Sequence, residues 1–238
     1  MQASSFAKWL KSVRGSRDTI ITTNYDTLIE NTLMDITTPE LPLSPESWYR
    51  DALHWLDYGV HRSKVHEYSD RFKWRTPPEQ SLLLLKLHGS VSWLVCKNCD
   101  TYLLDPIWQH AKDCSLWPEI WPPCPECKLK GARRDGVIVP PLLRKDYSEP
   151  AIAEIWDRAR EVLAHSEEIV FAGFSLDQSD IGVHGLLEEA RGLRTIKRIT
   201  IVDPNPSATE PRYRGLYGDL VNVAPEGDWE AYLQNHFF

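Results

Sequence analysis

The sequence has no basic block, no long apolar run and no internal repeat, and each absence narrows the range of functions. Lysine and arginine number 27 against 34 aspartate and glutamate residues, which gives a formal net charge of −7. A mildly acidic chain without clustered cations binds nucleic acid and anionic membrane surfaces poorly. We therefore expect no nucleic acid and no membrane among its partners, although backbone amides at helix N-termini can still bind small anions.

The sequence also lacks the features that direct proteins into or across membranes. No segment approaches the roughly 18 uninterrupted apolar residues of a membrane span. The N-terminal stretch places Phe6, Leu10 and Val13 on one face of an amphipathic helix, without the apolar segment and cleavage site of a secretory signal. These absences predict a cytoplasmic protein. Hydrophobic residues still make up 42% of the chain, which is enough to bury the core of a single α/β domain over 1–238.

Apolar runs with the length and β-branched content of buried strands recur along the chain. They cover residues 19–22, 82–87, 137–139, 169–171, 199–202 and, more weakly, 220–223. The runs at 82–87 and 169–171 are nearly continuous, which is the pattern of parallel strands covered on both faces. Helical spacing of the apolar residues between the later runs predicts a βαβαβ order from residue 137 onward, half of a doubly wound fold.

Two segments interrupt this pattern and have the character of insertions at strand ends. Residues 36–80 are rich in proline, tryptophan, tyrosine and charge, with short helical stretches, and we interpret them as a helical lid. Residues 94–135 carry the cysteines and form a second insertion. Four strand runs end in small or polar residues, and in open α/β sheets ligands bind beyond the carboxyl ends of strands. These strand ends are therefore expected to contribute to one site.

The cysteine spacing predicts a metal site in the segment 94–135. Cys96 and Cys99 form one C-x-x-C pair, and Cys124 and Cys127 form another. Two such turns place four sulfurs around one ion in the tetrahedral geometry of structural zinc, with no open position for chemistry. A cytoplasmic chain disfavours disulfides, and two redox pairs in one loop do not fit a thioredoxin-like unit.

The fifth cysteine, Cys114, is left over with His110 nearby. It is either a small hydrophobe in a local core or a substitute ligand for the metal. Three tryptophans of the same segment are expected to pack against the metal module: Trp108, Trp117 and Trp121.

Two polar strand ends, "TTNYD" at 22–26 and "HGS" at 88–90, allow a structural or a catalytic interpretation. In the structural one, Asp26 or Thr27 caps the following helix and His88 is a core histidine bonded to backbone. In the catalytic one, an asparagine, a carboxylate and a histidine at adjacent strand ends orient a ribose, hold a water and accept a proton near neutral pH.

Five motifs in order resemble those of sirtuins and of the wider sirtuin-like group. "TTNYD" resembles their T-x-N-x-D motif, "KLHGS" their catalytic histidine motif, "FAGFSL" their G-[TY]-S-L strand end and "IVDPNP" their ribose-contacting strand end, with the cysteine pairs between. The likeness spans residues 19–206 and is closer to the bacterial sirtuin-like proteins than to the deacetylases. It implies a Rossmann-like (DHS-like) parallel sheet in three αβα layers, with a small inserted zinc module.

The resemblance implies that NAD is the substrate and that its nicotinamide–ribose bond is cleaved. It places Asn24 beside the nicotinamide ribose and the attacking water, and it makes His88 the general base. Asp26 would orient the nicotinamide pocket, whose wall Thr22 and Thr23 share. Cleavage through an oxocarbenium-like ribose depends on a preorganised polar pocket more than on a strong nucleophile.

The later motifs carry the nucleotide-binding part of the resemblance. Gly173 and Ser175 would line the phosphates and ribose, the glycine because backbone approaches closely there. Asp203 would bind the hydroxyls of the adenine ribose, with Asn205 as a neighbouring candidate.

The sequence departs from the family pattern in its glycines. The family opens with a strand and a G-A-G-x-S phosphate loop, whereas the 12 glycines here include no G-x-G. The resemblance thus implies that the sequence starts after the first βα unit. The absent strand would leave a sheet edge open to a protein partner or a second copy of the chain.

A second departure concerns the acceptor of the reaction. The segment "GVIVPPLLRKDYSEP" stands where deacetylating sirtuins hold the acyl-lysine peptide, and its adjacent prolines, Pro140 and Pro141, remove backbone donors. This favours water, and so an NAD glycohydrolase. The alternatives are an NAD-dependent protein deacylase and a catalytically inactive, zinc-stabilised binding module without the phosphate loop.

Overall fold

The computed structural model describes residues 4–13, 16–37, 56–61, 81–104, 124, 126–129, 132–139 and 146–238. The chain folds as two compact units. The N-terminal unit comprises residues 11–158, and the C-terminal unit comprises residues 159–238 together with 1–10. None of the described helices combines the length and the apolar composition that a membrane crossing requires.

The first sheet of the N-terminal unit is parallel, with β3 (Leu82–Lys86) between β1 (Thr19–Thr22) and β2 (Leu56–Asp57). The side chains of Leu82, Leu84 and Leu85 are at most 1% exposed. Burial of neighbouring positions on one strand shows that β3 is covered on both faces, as its nearly continuous apolar run predicts. Helix α2 (Leu28–Thr37) follows β1 after a five-residue polar loop.

The second sheet of this unit is antiparallel. Its central strand β4 (Gly89–Cys96) lies between β5 (Tyr102–Leu104) and β6 (Arg134–Ile138). Only two residues separate β3 from β4, so the strand that ends at Lys86 leads almost directly into the cysteine-bearing sheet. The register of β4 against β6 shifts between Gly89 and Leu94, which bends the strand where it leaves the parallel sheet.

The C-terminal unit holds a parallel sheet of β7 (Glu168–Ala172), β8 (Arg198–Val202) and β9 (Val221–Val223), with β8 in the centre. Helix α4 (Ile181–Gly192) links β7 to β8. Helix α5 (Pro206–Tyr217) and the 3₁₀ turn Gly218–Leu220 link β8 to β9. Each strand is therefore joined to its parallel neighbour through a helix, the arrangement of nucleotide-binding α/β folds.

Three further helices complete the chain: α1 (Ser5–Val13), α3 (Pro150–His165) and α6 (Trp229–Phe237). Within the C-terminal unit, the start of α1 is bound to α6. The Glu230 carboxylate accepts the backbone amides of Ser5 and Phe6 at the helix N-terminus, where an anion is favoured. The indole rings of Trp9 and Trp229 meet edge to face, 5.2 Å apart.

The predicted α/β class is confirmed, and five predicted strand runs match β1, β3, β7, β8 and β9 within a residue or so. The predicted start of the βαβαβ succession at residue 137 is wrong. That run belongs to β6, which pairs antiparallel with β4, so the parallel succession begins at Glu168. Most of the predicted lid, 36–80, lies outside the described residues. The described residues 56–61 supply strand β2 to the parallel sheet.

Gly89, where β3 passes into β4, is a position at which only glycine fits. Its φ is +77°, and a Cβ atom there would lie 2.0 Å from the carbonyl oxygen of Val137. We expect Gly89→Ala to lower the free energy of unfolding by about 2–4 kcal/mol, measured by urea denaturation with tryptophan fluorescence. Gly136→Ala is the matched control, because among the described residues a Cβ atom there meets nothing within 4 Å beyond its chain neighbours. An equal loss of unfolding free energy in both variants would contradict this interpretation of Gly89.

Candidate functional site

The loop after β1 is held by its own backbone against the end of β3. The carbonyl of Thr22 accepts the amide of Leu87 at 2.9 Å, and the carbonyl of Tyr25 accepts the amide of Val91 at 3.0 Å. The Ser90 hydroxyl also donates to the Tyr25 carbonyl. These bonds place the two predicted polar strand ends, 22–26 and 88–90, side by side.

Within this loop the side chains of Asn24 and Asp26 are exposed. Asp26 accepts the amide of Leu28 through Oδ1 at 3.0 Å, and the carbonyl of Thr27 accepts the amide of Asn31. The structural interpretation of Asp26 and Thr27 as the start of α2 is therefore confirmed. The amide of Asn24 donates to the Thr22 hydroxyl at 3.1 Å, while its side chain makes no hydrogen bond to the described part of the chain.

His88 lies within reach of this loop and is 3% exposed. Its Nδ1 is 3.2 Å from the carbonyl oxygen of Thr23. A carbonyl oxygen can only accept, so Nδ1 carries the proton and the lone pair of the neutral ring falls on Nε2. The structure thus shows a buried histidine that is bonded to backbone.

Aromatic side chains that the sequence interpretation did not assign to the site surround His88. The Tyr147 ring stacks on His88 with centroids 6.2 Å apart, and the Tyr25 ring lies 6.0 Å away. Trp156 packs on Tyr147 at 4.5 Å and donates its indole N–H to the carbonyl of Leu87. Tyr147 stands within the segment "KDYSEP", whose only sequence signal is an aromatic residue close before a helix, and that signal is too common to single it out.

In the C-terminal unit, the predicted nucleotide residues lie at the carboxyl ends of adjacent parallel strands. Gly173 follows β7 with φ +60°, its amide donates to the carbonyl of Val202, and, apart from its chain neighbours, no atom of the described residues lies within 4 Å of where a Cβ would be. Asp203 follows β8 and is 8% exposed, and its Oδ1 accepts the amide of Asn205 at 2.7 Å. The structure therefore brings these three residues together at one end of this sheet.

Side chains of helix α5 hold the segment that carries Ser175 through hydrogen bonds to its backbone. Arg212 donates to the carbonyl of Ser175 at 2.8 Å, and the Tyr213 hydroxyl donates to the carbonyl of Phe174. Leu176 is fully buried with φ +50°, a strained conformation for a branched residue that packing must compensate. The loop is thus preorganised, with the side chain of Ser175 exposed.

The four cysteines of the two C-x-x-C pairs converge on one point in the N-terminal unit. The sulfur atoms of Cys96 and Cys127 are 4.0 Å apart, those of Cys99 and Cys124 are 3.7 Å apart, and all four lie within 4.8 Å of one another. Four thiolates at roughly 2.3 Å from a tetrahedral zinc ion are separated by roughly 3.8 Å. The donor set therefore fits a metal ion, and the spacing is too long for a disulfide.

The two cysteine turns have the same backbone design. The amides of Asp100 and Lys128, each four residues after the first cysteine of its pair, donate to the carbonyls of Cys96 and Cys124 at 2.8 Å. Both residues have φ near +57°. The amide of Leu129 lowers the pKa of Cys127 to about 7, whereas burial raises the pKa of Cys96. A divalent cation at the centre would favour the thiolate form of each.

Cys114, His110 and the three tryptophans that were expected near the metal lie outside the described residues. Those predictions stay open.

Comparison with known proteins adds little beyond the structure. No family model matches the chain, and no curated protein does. A solved structure reported as "Structural Basis for the Mechanism and Regulation of Sir2 Enzymes" is 17% identical, over 97% of this chain and 96% of that chain, with a TM-score of 0.42. A TM-score of this size carries no argument about family, activity or site residues.

We expect the purified protein to contain about one zinc ion per chain, measured by plasma mass spectrometry. Cys124→Ser should lose the ion and lower the Tm by roughly 10 °C, because a structural metal contributes folding free energy. Cys114→Ser should keep the ion and serves as the matched control. Equal zinc in Cys124→Ser and wild type would contradict the four-cysteine site. Fewer than five titratable thiols in denatured, unreduced protein would indicate a disulfide instead.

Proposed function

We propose that the protein is a sirtuin-like, NAD-binding enzyme that cleaves the nicotinamide–ribose bond with water as acceptor. In this proposal His88 is the general base and Asn24 lies at the nicotinamide ribose and the water. The observation that carries it is the hydrogen bond from His88 Nδ1 to the Thr23 carbonyl at 3.2 Å. That bond leaves the lone pair on Nε2 and fixes the ring beside the residue that precedes Asn24.

The loop around Asn24 supports a role in binding because its backbone is fixed while two polar side chains are exposed. Carbonyls on both sides of Asn24, those of Thr23 and Tyr25, are bound to the chain after β3. The amide side chain of Asn24 is exposed, as is the carboxylate of Asp26. A preorganised amide and carboxylate can stabilise a ribose that develops positive charge, without reorganisation during the reaction. Thr22 and Thr23 complete the wall of this pocket.

The backbone of Val139 supports water over an acyl-lysine peptide as acceptor. Its amide donates to the carbonyl of His88 at 2.9 Å, and its carbonyl accepts the hydroxyl of Tyr25 at 2.9 Å. A peptide added as a strand needs free donors and acceptors on its host. Val139 lies within the predicted docking segment, and both of its backbone groups are already bound within the chain.

The nucleotide moiety is assigned to the strand ends of the C-terminal unit. The open space in front of Gly173 lets a phosphate approach the backbone. The Asp203 carboxylate, with one oxygen held by the Asn205 amide, is suited to accept hydrogen bonds from the hydroxyls of the adenine ribose. Ser175 and Asn205 are the neighbouring polar contacts. The metal of the cysteine site is zinc in this proposal, and four thiolates leave it a structural role only.

A second candidate is a zinc-stabilised binding module of the same fold without catalysis. The burial of His88 favours it, since a 3% exposed ring bonded to backbone is also the ordinary state of a core histidine. The two candidates differ in turnover and not in nucleotide binding.

We expect wild-type protein to release nicotinamide and ADP-ribose from NAD, and His88→Ala to slow release by at least about 100-fold, followed by chromatography. His165→Ala is the matched control, because His165 lies before β7, at the opposite end of that sheet from the strand ends that carry Gly173 and Asp203. An acylated lysine peptide should not raise the rate. No release by the wild type, with NAD binding retained, would replace the hydrolase by the binding module.

We expect Asp203→Asn to raise the KM for NAD about tenfold and to change kcat by less than about twofold. The substitution keeps an oxygen for the Asn205 amide and removes only the charge offered to the ribose. Asp219→Asn is the matched control, because Asp219 lies just before the N-terminal end of β9. An unchanged KM in Asp203→Asn would remove Asp203 from the nucleotide site.

A further inference from the structure

A buried ion pair lies directly under the loop that carries Asn24. The ammonium of Lys86 is 2.9 Å from Oε1 of Glu30, and both residues are 1% exposed. The same carboxylate oxygen accepts the hydroxyl of Tyr58 at 3.4 Å. Burial raises the pKa of Glu30, and the charge of Lys86 opposes that rise.

Such a pair is a costly way to stabilise a fold. Removing two charges from water costs several kcal/mol per ion, and well-packed apolar residues in their place are often as stable or more so. Leu84 and Leu85, the neighbours of Lys86 on β3, are fully buried and show that this strand accepts leucine. Stability alone therefore gives no reason for a lysine at this position.

The reason lies in the second contact of the Lys86 ammonium, which also donates to the backbone carbonyl of Asp26. Lys86 is level with Thr22 in the β1–β3 register, so its side chain reaches past the strand end to the far side of the loop. An apolar residue at 86 would leave the Asp26 carbonyl without this donor.

Lys86 and His88 thus hold opposite ends of one short loop. His88 is bonded to the carbonyl of Thr23, Lys86 is bonded to the carbonyl of Asp26, and Asn24 lies between these two attachment points. Both attachments come from residues two positions apart in the chain. We expect displacement of either one to shift Asn24 relative to the histidine ring.

We propose that Lys86 is a positioning residue, which fixes the 23–26 loop through the Asp26 carbonyl and so sets where Asn24 stands relative to His88. Glu30 neutralises the ammonium and orients it toward the loop. The kinetic consequence rests on the proposed NAD cleavage, whereas the consequence for the loop does not.

The main comparison uses the full chain in three forms: wild type, Lys86→Met, and the double variant Lys86→Met/Glu30→Leu. Lys86→Met leaves Glu30 buried without its partner, so its Tm should fall by several degrees. The double variant removes both charges, and Tyr58 loses only a long hydroxyl contact. Its Tm should return to within a few degrees of wild type.

Loop position is measured by hydrogen exchange of the amides in residues 22–31, and function by kcat and KM for NAD. In Lys86→Met and in the double variant we expect amide exchange to quicken at least about tenfold and kcat to fall about 10- to 100-fold with KM nearly unchanged. Glu30→Gln, which keeps acceptors for Lys86 and Tyr58 but leaves the ammonium uncancelled, should lose less kcat than Lys86→Met.

Glu154→Gln is the matched control. Glu154 is a buried carboxylate of the same unit, 8% exposed, that accepts the backbone amide of His61 away from the loop. It should leave loop exchange and kcat at wild-type values. The proposal would be overturned if kcat, slow amide exchange and Tm all returned to wild-type values in the double variant. The ion pair would then affect only the stability of the fold.

The two proposals fail separately. If wild type does not cleave NAD, unchanged loop exchange in the double variant overturns the positioning role, and faster exchange supports it. If Lys86→Met does not fold, the double variant carries the same comparison.

Discussion

The shape of the loop after β1 depends on donors that the end of β3 supplies. Four carbonyls in five consecutive residues, those of Thr22, Thr23, Tyr25 and Asp26, are bound by residues 86–91. A loop that carries polar side chains cannot hold a fixed shape by apolar packing, so its backbone must be bound instead. The carbonyls on both sides of Asn24 are thereby bound, while its own side chain is exposed, as the proposed binding role requires.

The same segment explains why two sheets of different type meet here. Backbone that leaves the parallel strand β3 turns at Gly89 and becomes the antiparallel strand β4, while His88 and Val139 bond to each other across that turn. The segment that carries the cysteine module therefore also contacts the loop after β1. Its outer strand β6 ends at Ile138, one residue before Val139, whose carbonyl accepts the Tyr25 hydroxyl. Loss of an ion from the cysteine cluster is expected to loosen the loop after β1 through β6, although an ion held by four thiolates has no open position for a substrate.

The sequence predicted the components of this site but not how they pair. Strand runs, polar strand ends and cysteine pairs are local patterns, because residue type and spacing alone determine them. The partner of β6 could not be predicted, since a short apolar run carries no information on which strand it joins. Lys86 was part of a run noted for its apolar character, and its partner Glu30 lies 56 residues earlier. Tyr147 reaches His88 only through the packing of helix α3 on the strand end.

Pairing with Glu30 also makes Lys86 compatible with the proposed chemistry. A buried ammonium that is not neutralised raises the energy of any cation nearby, because Coulomb interactions are strong where water is excluded. An oxocarbenium-like ribose is such a cation, and a lone lysine under the loop would oppose its formation. Because the Glu30 carboxylate lies 2.9 Å from the Lys86 ammonium, the two charges cancel for groups farther away. The ammonium nevertheless donates to the Asp26 carbonyl. The nearest formal charge on the loop itself is then the exposed carboxylate of Asp26, whose sign favours the developing positive charge. The pair thereby provides a strong, fixed donor without an electrostatic penalty. The side chain of a neutral amide at position 86 would be too short to reach the Asp26 carbonyl. An unpaired lysine would reach it but would place an uncompensated positive charge under the loop.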